Sequence, residues 1–249
     1  MSLSKLINSL LSPAGFQLVR ESMLYEWQKG GAAVVRPELK VPEDAAEYLS
    51  PVNQRLAELK SRYASFQSTV TEPIVWTDDY IRSYDLLSFR GDNCYVWQSR
   101  DRNSDEVNYA LTTYYVKSID RLGLLGKLEE DGSFGVHTHT VDARLVSRDL
   151  LDSIVEIYFL EKNLALSSIQ GLRMLDIGAG YGRLASRAAR VFDNLTEYVC
   201  TDAVPESTYI SDYYLQHRGV QCKTNVVPLD EIEVYLKRNA VHVAVNIHS

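Results

Sequence analysis

Three glycines and two aspartates in the second half of the chain have the spacing of a small-molecule binding loop. The glycines are Gly178, Gly180 and Gly182, within the run LDIGAGYG over residues 175–182. Glycines there let the backbone turn sharply and let a ligand approach without a Cβ in the way. Asp176 precedes the first glycine by two residues, and Asp202 follows the third by 20. A glycine loop with a carboxylate on each side indicates a binding site for a ligand that carries a positive charge.

The spacing G-x-G-x-G differs from the dinucleotide fingerprint G-x-G-x-x-G. The third glycine of that fingerprint, which lets a helix pack closely beneath a pyrophosphate, would fall at Arg183. Asp176 would repel a pyrophosphate but attract an ammonium group. Asp202 can accept both hydroxyls of a ribose, although it could instead cap the next helix. A ligand with a ribose, a positive amino-acid tail and no phosphate fits S-adenosylmethionine better than NAD.

The glycine loop lies between a predicted strand and a predicted helix of an alternating region. Strands are predicted over 172–177, 198–201, 221–227 and 240–247, and helices over 183–191, 205–217 and 229–238. This alternation indicates βαβ units with right-handed crossovers. We therefore expect an α/β fold, a Rossmann-like doubly wound parallel sheet of four strands. Its first strand should be central, with the second and third on one side and the fourth on the other.

The preceding part of the chain has mainly helical character. Helices are predicted within 41–71, over 108–125, and over 147–165, where Ser147 can act as the N-terminal cap. Residues 136–141 alternate like a short strand or extended loop.

The run 175–182 together with Asp202 resembles the first two cofactor motifs of class I S-adenosylmethionine-dependent methyltransferases. Further segments are similar to the sugar O-methyltransferase family of bacterial polysaccharide clusters, namely residues 89–92, 95–98, 111–115, 146–151 and 246–249. The resemblance implies methylation of a sugar hydroxyl of a polysaccharide or glycolipid precursor. The pattern of predicted elements divides the chain into a mostly helical accessory or acceptor region over 1–146 and the start of a doubly wound, cofactor-binding methyltransferase domain over 147–249.

Residues of the glycine loop and the end of the fourth strand are the candidate site. The cofactor-binding candidates are Asp176, Gly178, Ala179, Gly180, Tyr181, Gly182 and Asp202. The candidate general base is His248, because ligands of open α/β sheets lie at the carboxyl ends of the strands and a histidine pKa of about 6.5 suits proton removal. A histidine that merely packs there is the alternative.

Aromatic and charged residues upstream are candidates for binding the acceptor. These are Arg90, Asp92, Tyr95 and Trp97, since sugar rings stack on aromatic faces and sugar hydroxyls bond to charged groups. The alternative is that the aromatic residues form the core of a small N-terminal domain. His137 and His139 share a strand face but have no third ligand at a suitable spacing, so we expect no metal site.

Net charge, apolar run length and cysteine spacing limit the classes of partner and the cellular location that we expect. The chain has 26 basic and 33 acidic residues, a net charge of −7 and a pI near 5.3, which disfavours nucleic acid and anionic membranes. No apolar run has the length of about 18 residues that crosses a bilayer. The three cysteines lie far apart and offer no disulfide framework. A cytoplasmic location is expected.

The predicted sheet has fewer strands than a complete domain of this class. The fourth strand, within 241–247, would be a hydrophobic edge without a following helix. We therefore expect the reading frame to continue past Ser249 or another chain to cover this edge as a partner or oligomer. A non-catalytic or truncated cofactor-binding subunit is the alternative to an active enzyme, and a nicotinamide-dependent oxidoreductase is less favoured.

Overall fold

A computed structural model describes residues 39–66, 83–91 and 106–247, with positions 7 and 13 standing alone. The helices are α1 (Ala45–Tyr48), α2 (Gln54–Ser65), α3 (Glu106–Ile119), α4 (Leu124–Lys127), α5 (Arg148–Leu164), α6 (Arg183–Val191), α7 (Pro205–His217) and α8 (Leu229–Arg238). The strands are β1 (Thr138–Val141), β2 (Arg144–Ser147), β3 (Leu172–Ile177), β4 (Leu195–Thr201), β5 (Thr224–Val226) and β6 (Val243–Val245). Two 3-10 turns, Ser83–Ser88 and Leu166–Ser168, complete the described elements.

Strands β3 to β6 form one parallel sheet with the order β5-β4-β3-β6. The first strand of the alternating region, β3, therefore pairs with the second on one side and with the fourth on the other. Asp176 near its carboxyl end is in register with Cys200 of β4 and Val245 of β6. Both the predicted fold class and the predicted strand order are confirmed.

Helices cover both faces of this sheet, as a doubly wound fold requires. Successive residues of a strand point to opposite faces. Met174 packs in the main core with residues of α5, α6 and α7, whereas Leu175 packs in a smaller cluster with Ile232 and Leu236 of α8. Ile177, on the same face as Leu175, is 43% exposed. The face under α8 is thus only partly covered by the described residues.

The helices of the alternating region have the predicted bounds because local signals set their ends. Helix α6 starts after Gly182 in the left-handed region, and α7 has Pro205 at its first position. Helix α5 is capped by Ser147, whose Oγ accepts the amide of Leu150 at 3.0 Å. Three strands differ from their predicted lengths. The internal strand β4 begins earlier, and β5 and β6, which each pair with one neighbour among the described strands, are shorter.

The segment 136–141, which was predicted to be extended, contains strand β1 of a β-hairpin. The sequence did not predict the second strand, β2. Strand β1 pairs antiparallel with β2, and Asp142 and Ala143 between them both have positive φ, as the common two-residue hairpin turn requires. Ser147 ends β2 and directly caps α5. The predicted boundary between two regions at residues 146 and 147 stays a prediction. The main hydrophobic core includes residues on both sides of this boundary, from Ala45 to Val245.

Strand β6 has no partner on its outer edge among the described strands. The expectation that another chain or chain segment covers this edge stays a prediction. Within the described part of the chain, every helix is too short or too polar to cross a membrane.

Candidate functional site

The glycine loop connects β3 to α6 with its glycines in the left-handed region. At Gly182, φ is +83°, and a Cβ would lie 3.0 Å from Ser211 Oγ and 3.1 Å from Leu215 Cγ. The start of α6 therefore packs so closely against α7 that only glycine fits. At Gly180, φ is +56° and a Cβ would meet no atom within 4 Å. This side of the loop is open to a ligand.

The amide groups of the glycine loop are used within the protein. Gly178 N and Ala179 N donate to Thr201 O at 2.9 and 3.1 Å, Gly182 N donates to Ala179 O at 3.0 Å, and Gly180 N donates to Asp202 Oδ2 at 2.9 Å. Loops that bind phosphate direct such amides at the ligand. These four amides are not directed at a ligand, so the loop is not arranged as a phosphate cradle.

Asp202 links the end of β4 to the glycine loop and to the start of α7. Its Oδ2 accepts the Gly180 amide, and its Oδ1 accepts the Val204 amide at 2.8 Å. The carboxylate thus stabilises the turn before α7. This role is similar to the helix cap that the sequence offered as an alternative for Asp202. Burial raises its pKa to about 6, against the lowering effect of these amides. Each carboxylate oxygen retains a second lone pair that a ribose hydroxyl could use.

Asp176 is a buried carboxyl group at the carboxyl end of the central strand β3. It is 5% exposed and accepts a hydrogen bond from Tyr198 Oη at 3.1 Å. Burial raises its pKa to about 7, opposed by the Tyr198 hydroxyl and by Arg183. The negative charges of Glu156 and Asp202 raise it further. At neutral pH this group therefore gains or loses a proton readily, and a cation beside it would favour the ionised form.

Arg183, at the position of the missing dinucleotide glycine, binds two residues of α5. Its Nη2 lies 2.7 Å from Glu156 Oε1, and its Nη1 donates to Ser153 Oγ at 2.9 Å. The other carboxylate oxygen of Glu156 is buried and has no hydrogen-bond partner among the described residues. Glu156 thus balances the Arg183 charge, while Arg183 also lowers the pKa of the nearby Asp176.

The side chain of Tyr181 points into the protein and away from the open side of the loop. Its ring centroid lies 5.1 Å from that of Phe89 and 5.1 Å from that of Tyr214, and its hydroxyl donates to Asp149. The prediction of a cofactor-binding role is therefore wrong for this side chain, and only the Tyr181 backbone belongs to the loop. The tyrosine instead anchors the loop to the core.

Arg90 is fully buried and does not line an acceptor pocket, contrary to prediction. Its Nε donates to Asp149 Oδ2 at 3.2 Å, its Nη2 to Glu130 Oε2 at 2.7 Å, and its Nη1 to the Ser133 carbonyl at 3.2 Å. Arg187 Nη2 lies 3.6 Å from the same Glu130 oxygen. A buried guanidinium needs such partners because an unpaired buried charge is very costly.

The other predicted acceptor residues, Asp92, Tyr95 and Trp97, lie outside the described residues, as does His248. The sequence did not predict that Glu130 and Asp149 would meet Arg90. Asp149 was identifiable only as an acidic residue in the first turn of α5, and no local signal pairs it with a residue 59 positions away.

The histidines considered for a metal site lie at the hairpin. His139 is in β1, where its ring centroid is 4.3 Å from that of Tyr109. Over residues 39–66, 83–91 and 106–247, no group of three or more His, Cys, Asp or Glu side chains is placed to hold a metal ion.

No family profile matches the sequence, and no curated protein matches it significantly. Among solved structures, the crystal structure of DszA carbon methyltransferase is similar with a TM-score of 0.27 and 15% sequence identity. The match covers 90% of this chain and 60% of that one, so the chain spans less than two thirds of its length. A similarity of this size does not establish an activity.

Proposed function

We propose that the chain binds S-adenosylmethionine at the glycine loop and transfers its methyl group to an oxygen acceptor. The observation that carries the proposal is the arrangement of the loop between Asp176 and Asp202. Its amides donate to Thr201 and Asp202, a Cβ at Gly180 would meet no atom within 4 Å, and the carboxyl groups of Asp176 and Asp202 lie at the ends of two adjacent strands. This arrangement favours a cationic ligand without phosphate groups.

The chemical groups of S-adenosylmethionine correspond to those of the site. We expect the ammonium group to bind near Asp176, since a cation stabilises the ionised form of a buried carboxyl group. The ribose hydroxyls can donate to Asp202, as they do to an acidic residue at this position in dinucleotide folds. The absence of a Cβ at Gly180 lets the ligand approach the backbone closely.

When bound, S-adenosylmethionine supplies a methyl group that is already activated by a sulfonium. The transfer would form a bond between the acceptor oxygen and the methyl carbon and break the carbon–sulfur bond, whose electron pair would stay with sulfur as a neutral thioether. The protein contributes alignment, exclusion of water and removal of the hydroxyl proton. We propose that a ring nitrogen of His248 takes this proton.

The acceptor class follows from the resemblance of the upstream segments. We propose a sugar hydroxyl of a polysaccharide or glycolipid precursor. Arg90 is buried and therefore does not support a sugar as the acceptor. Asp92, Tyr95 and Trp97 remain candidates for binding the sugar.

Calorimetry with S-adenosylhomocysteine and with NAD tests the cofactor. We expect S-adenosylhomocysteine to bind at micromolar concentration and NAD not to bind. Asp202→Ala should weaken binding, because it removes the acceptor for the ribose and the anchor of the loop. Binding of NAD without S-adenosylhomocysteine would instead favour an oxidoreductase.

Transfer of a radiolabelled methyl group from S-adenosylmethionine to cell-envelope extracts tests the acceptor. Label in a carbohydrate fraction that is lost after mild glycan cleavage supports sugar methylation. Binding of the cofactor with no incorporation into any fraction would favour the alternative of a non-catalytic subunit.

A further inference from the structure

Helix α2, from the N-terminal region, is bound to the first turns of both α7 and α8. Lys60 Nζ lies 2.5 Å from Glu206 Oε1, in the first turn of α7. Arg62 forms a two-point contact with Asp230 in the first turn of α8, with Nη2–Oδ1 and Nε–Oδ2 distances of 2.7 and 2.9 Å. One short stretch of α2 therefore holds the beginnings of two helices.

The hydroxyl of Tyr63 lies between the same two helix starts. It is 2.9 Å from Thr208 Oγ1 of α7 and accepts the backbone amide of Leu229, the first residue of α8, at 2.9 Å. The helices α7 and α8 pack on opposite faces of the sheet and follow the carboxyl ends of β4 and β5. A group that contacts both starts must lie at the carboxyl edge of the sheet.

The position of Tyr63 relative to the two aspartates indicates which part of a ligand it would meet. Asp176 ends β3, Asp202 follows the neighbouring strand β4, and Tyr63 lies beside the start of the helix that follows β5, the next strand in the same direction. A ligand whose ammonium lies at Asp176 and whose ribose lies at Asp202 continues towards β5. The base attached to the ribose would then reach Tyr63.

We propose that α2 forms the outer wall of the nucleoside half of the site, with Arg62 and Tyr63 as its positioning residues. This inference rests on the proposed function and extends it to a helix that precedes the α/β domain. Arg62 holds α2 against α8, and Tyr63 holds the Leu229 amide and the loop before it. These contacts place α2 at the carboxyl edge of the sheet, beside the starts of α7 and α8, where the base of the ligand would lie.

Two variants and one control test the inference on the full 249-residue chain. Arg62→Ala removes the contacts to Asp230 and Glu231, and Tyr63→Phe removes only a hydroxyl. Lys237→Ala is the control, because it breaks an ion pair on α8 whose two side chains are 69% and 79% exposed. Calorimetry measures the Kd of S-adenosylhomocysteine and of adenosine, which is the nucleoside half alone, at a temperature where circular dichroism shows all variants folded.

We expect Arg62→Ala to raise both Kd values on the order of tenfold and Tyr63→Phe to raise them about threefold. The control should change them by less than about twofold. If the wild-type chain binds and both variants bind equally well or more tightly, α2 is not a wall of the site and this inference fails alone. If the wild-type chain binds neither ligand, the proposed function fails and this inference fails with it.

Discussion

The guanidinium of Arg90 lies 3.2 Å from the carboxylate of Asp149, the same carboxylate that accepts the hydroxyl of Tyr181. This relationship joins the segment 83–91 to the glycine loop through buried groups. Burial alone would raise the pKa of Asp149, but Arg90, Arg187 and Arg183 outweigh it and lower that pKa. The glycine loop is therefore linked, through Tyr181 and Asp149, to a residue far upstream in the sequence.

Removal of the Asp149 carboxylate should strongly destabilise the protein. Asp149→Ala leaves Arg90 buried with a lost partner, and breaking a buried ion pair in this way costs about 3–5 kcal/mol. Tyr181→Phe removes one hydrogen bond and should cost about 1–2 kcal/mol. Urea denaturation followed by circular dichroism measures both free energies of unfolding.

Tyr115→Phe is the matched control for Tyr181→Phe, since Tyr115 is 55% exposed. It should change the free energy of unfolding by less than about 0.5 kcal/mol. Equal stabilities for Asp149→Ala and the wild-type chain would show that the contact between Arg90 and Asp149 does not stabilise the folded state.

Alanine at Gly182 and at Gly180 should separate the packing role of the loop from its binding role. Gly182→Ala combines a strained positive φ with a clash against α7 and should cost about 2–4 kcal/mol. Gly180→Ala introduces no clash and should cost about 1 kcal/mol, yet its Cβ would project into the open side where the proposed ligand would approach. Thermal melts and calorimetry with S-adenosylhomocysteine measure the two effects.

Gly171→Ala is the control for backbone strain alone, because φ there is +64° in open space outside the loop. It should lower stability about as much as Gly180→Ala while leaving the affinity for S-adenosylhomocysteine unchanged. Equal affinities of Gly180→Ala and Gly171→Ala would contradict the assignment of the open side to the ligand.

Binding of S-adenosylhomocysteine should strengthen as the pH rises from 6 to 8. Asp176, with a pKa of about 7, loses its proton in this range and then attracts the ammonium of the ligand. Asp202, with a pKa of about 6, contributes at the lower end. Calorimetry across this range should show the rise for the wild-type chain and a much smaller one for Asp176→Asn.

The same titration has the opposite effect on stability without ligand. The folded pKa of Asp176 lies above its ordinary value of 3.8, so its contribution to stability is complete below that value and is lost as the pH rises through about 7. Asp176→Asn should therefore gain thermal stability relative to the wild-type chain between pH 5 and pH 8. A constant difference in melting temperature would contradict the raised pKa.

His248→Ala should lower turnover by about 10²–10⁴ if this histidine is the general base. The Kd of S-adenosylhomocysteine should stay within about twofold of the wild-type value, because the histidine acts on the acceptor. Turnover is measured with radiolabelled S-adenosylmethionine once an acceptor fraction has been identified. Unchanged turnover with intact cofactor binding would reject the assignment.

Local signals were sufficient for much of the α/β domain. The strand at 172–177 and the helices 183–191, 205–217 and 229–238 agree with the structure, because apolar periodicity, Pro205 and the glycines act over a few residues. The lengths of β5 and β6 could not be predicted in this way. They depend on which neighbour each strand pairs with across the sheet.

The sequence by itself determined the spacing of Asp176, Gly178, Gly180, Gly182 and Asp202, on which the prediction of a cationic ligand without phosphate groups rests. Only the tertiary structure decided that Tyr181 points inward, that Arg90 is buried among carboxylates and that α2 lies at the carboxyl edge of the sheet. The physical reason is that these side chains find their partners across distances of 32 to 166 residues along the chain. Burial and charge pairing in the folded protein determine these partners, so no local sequence pattern predicts them.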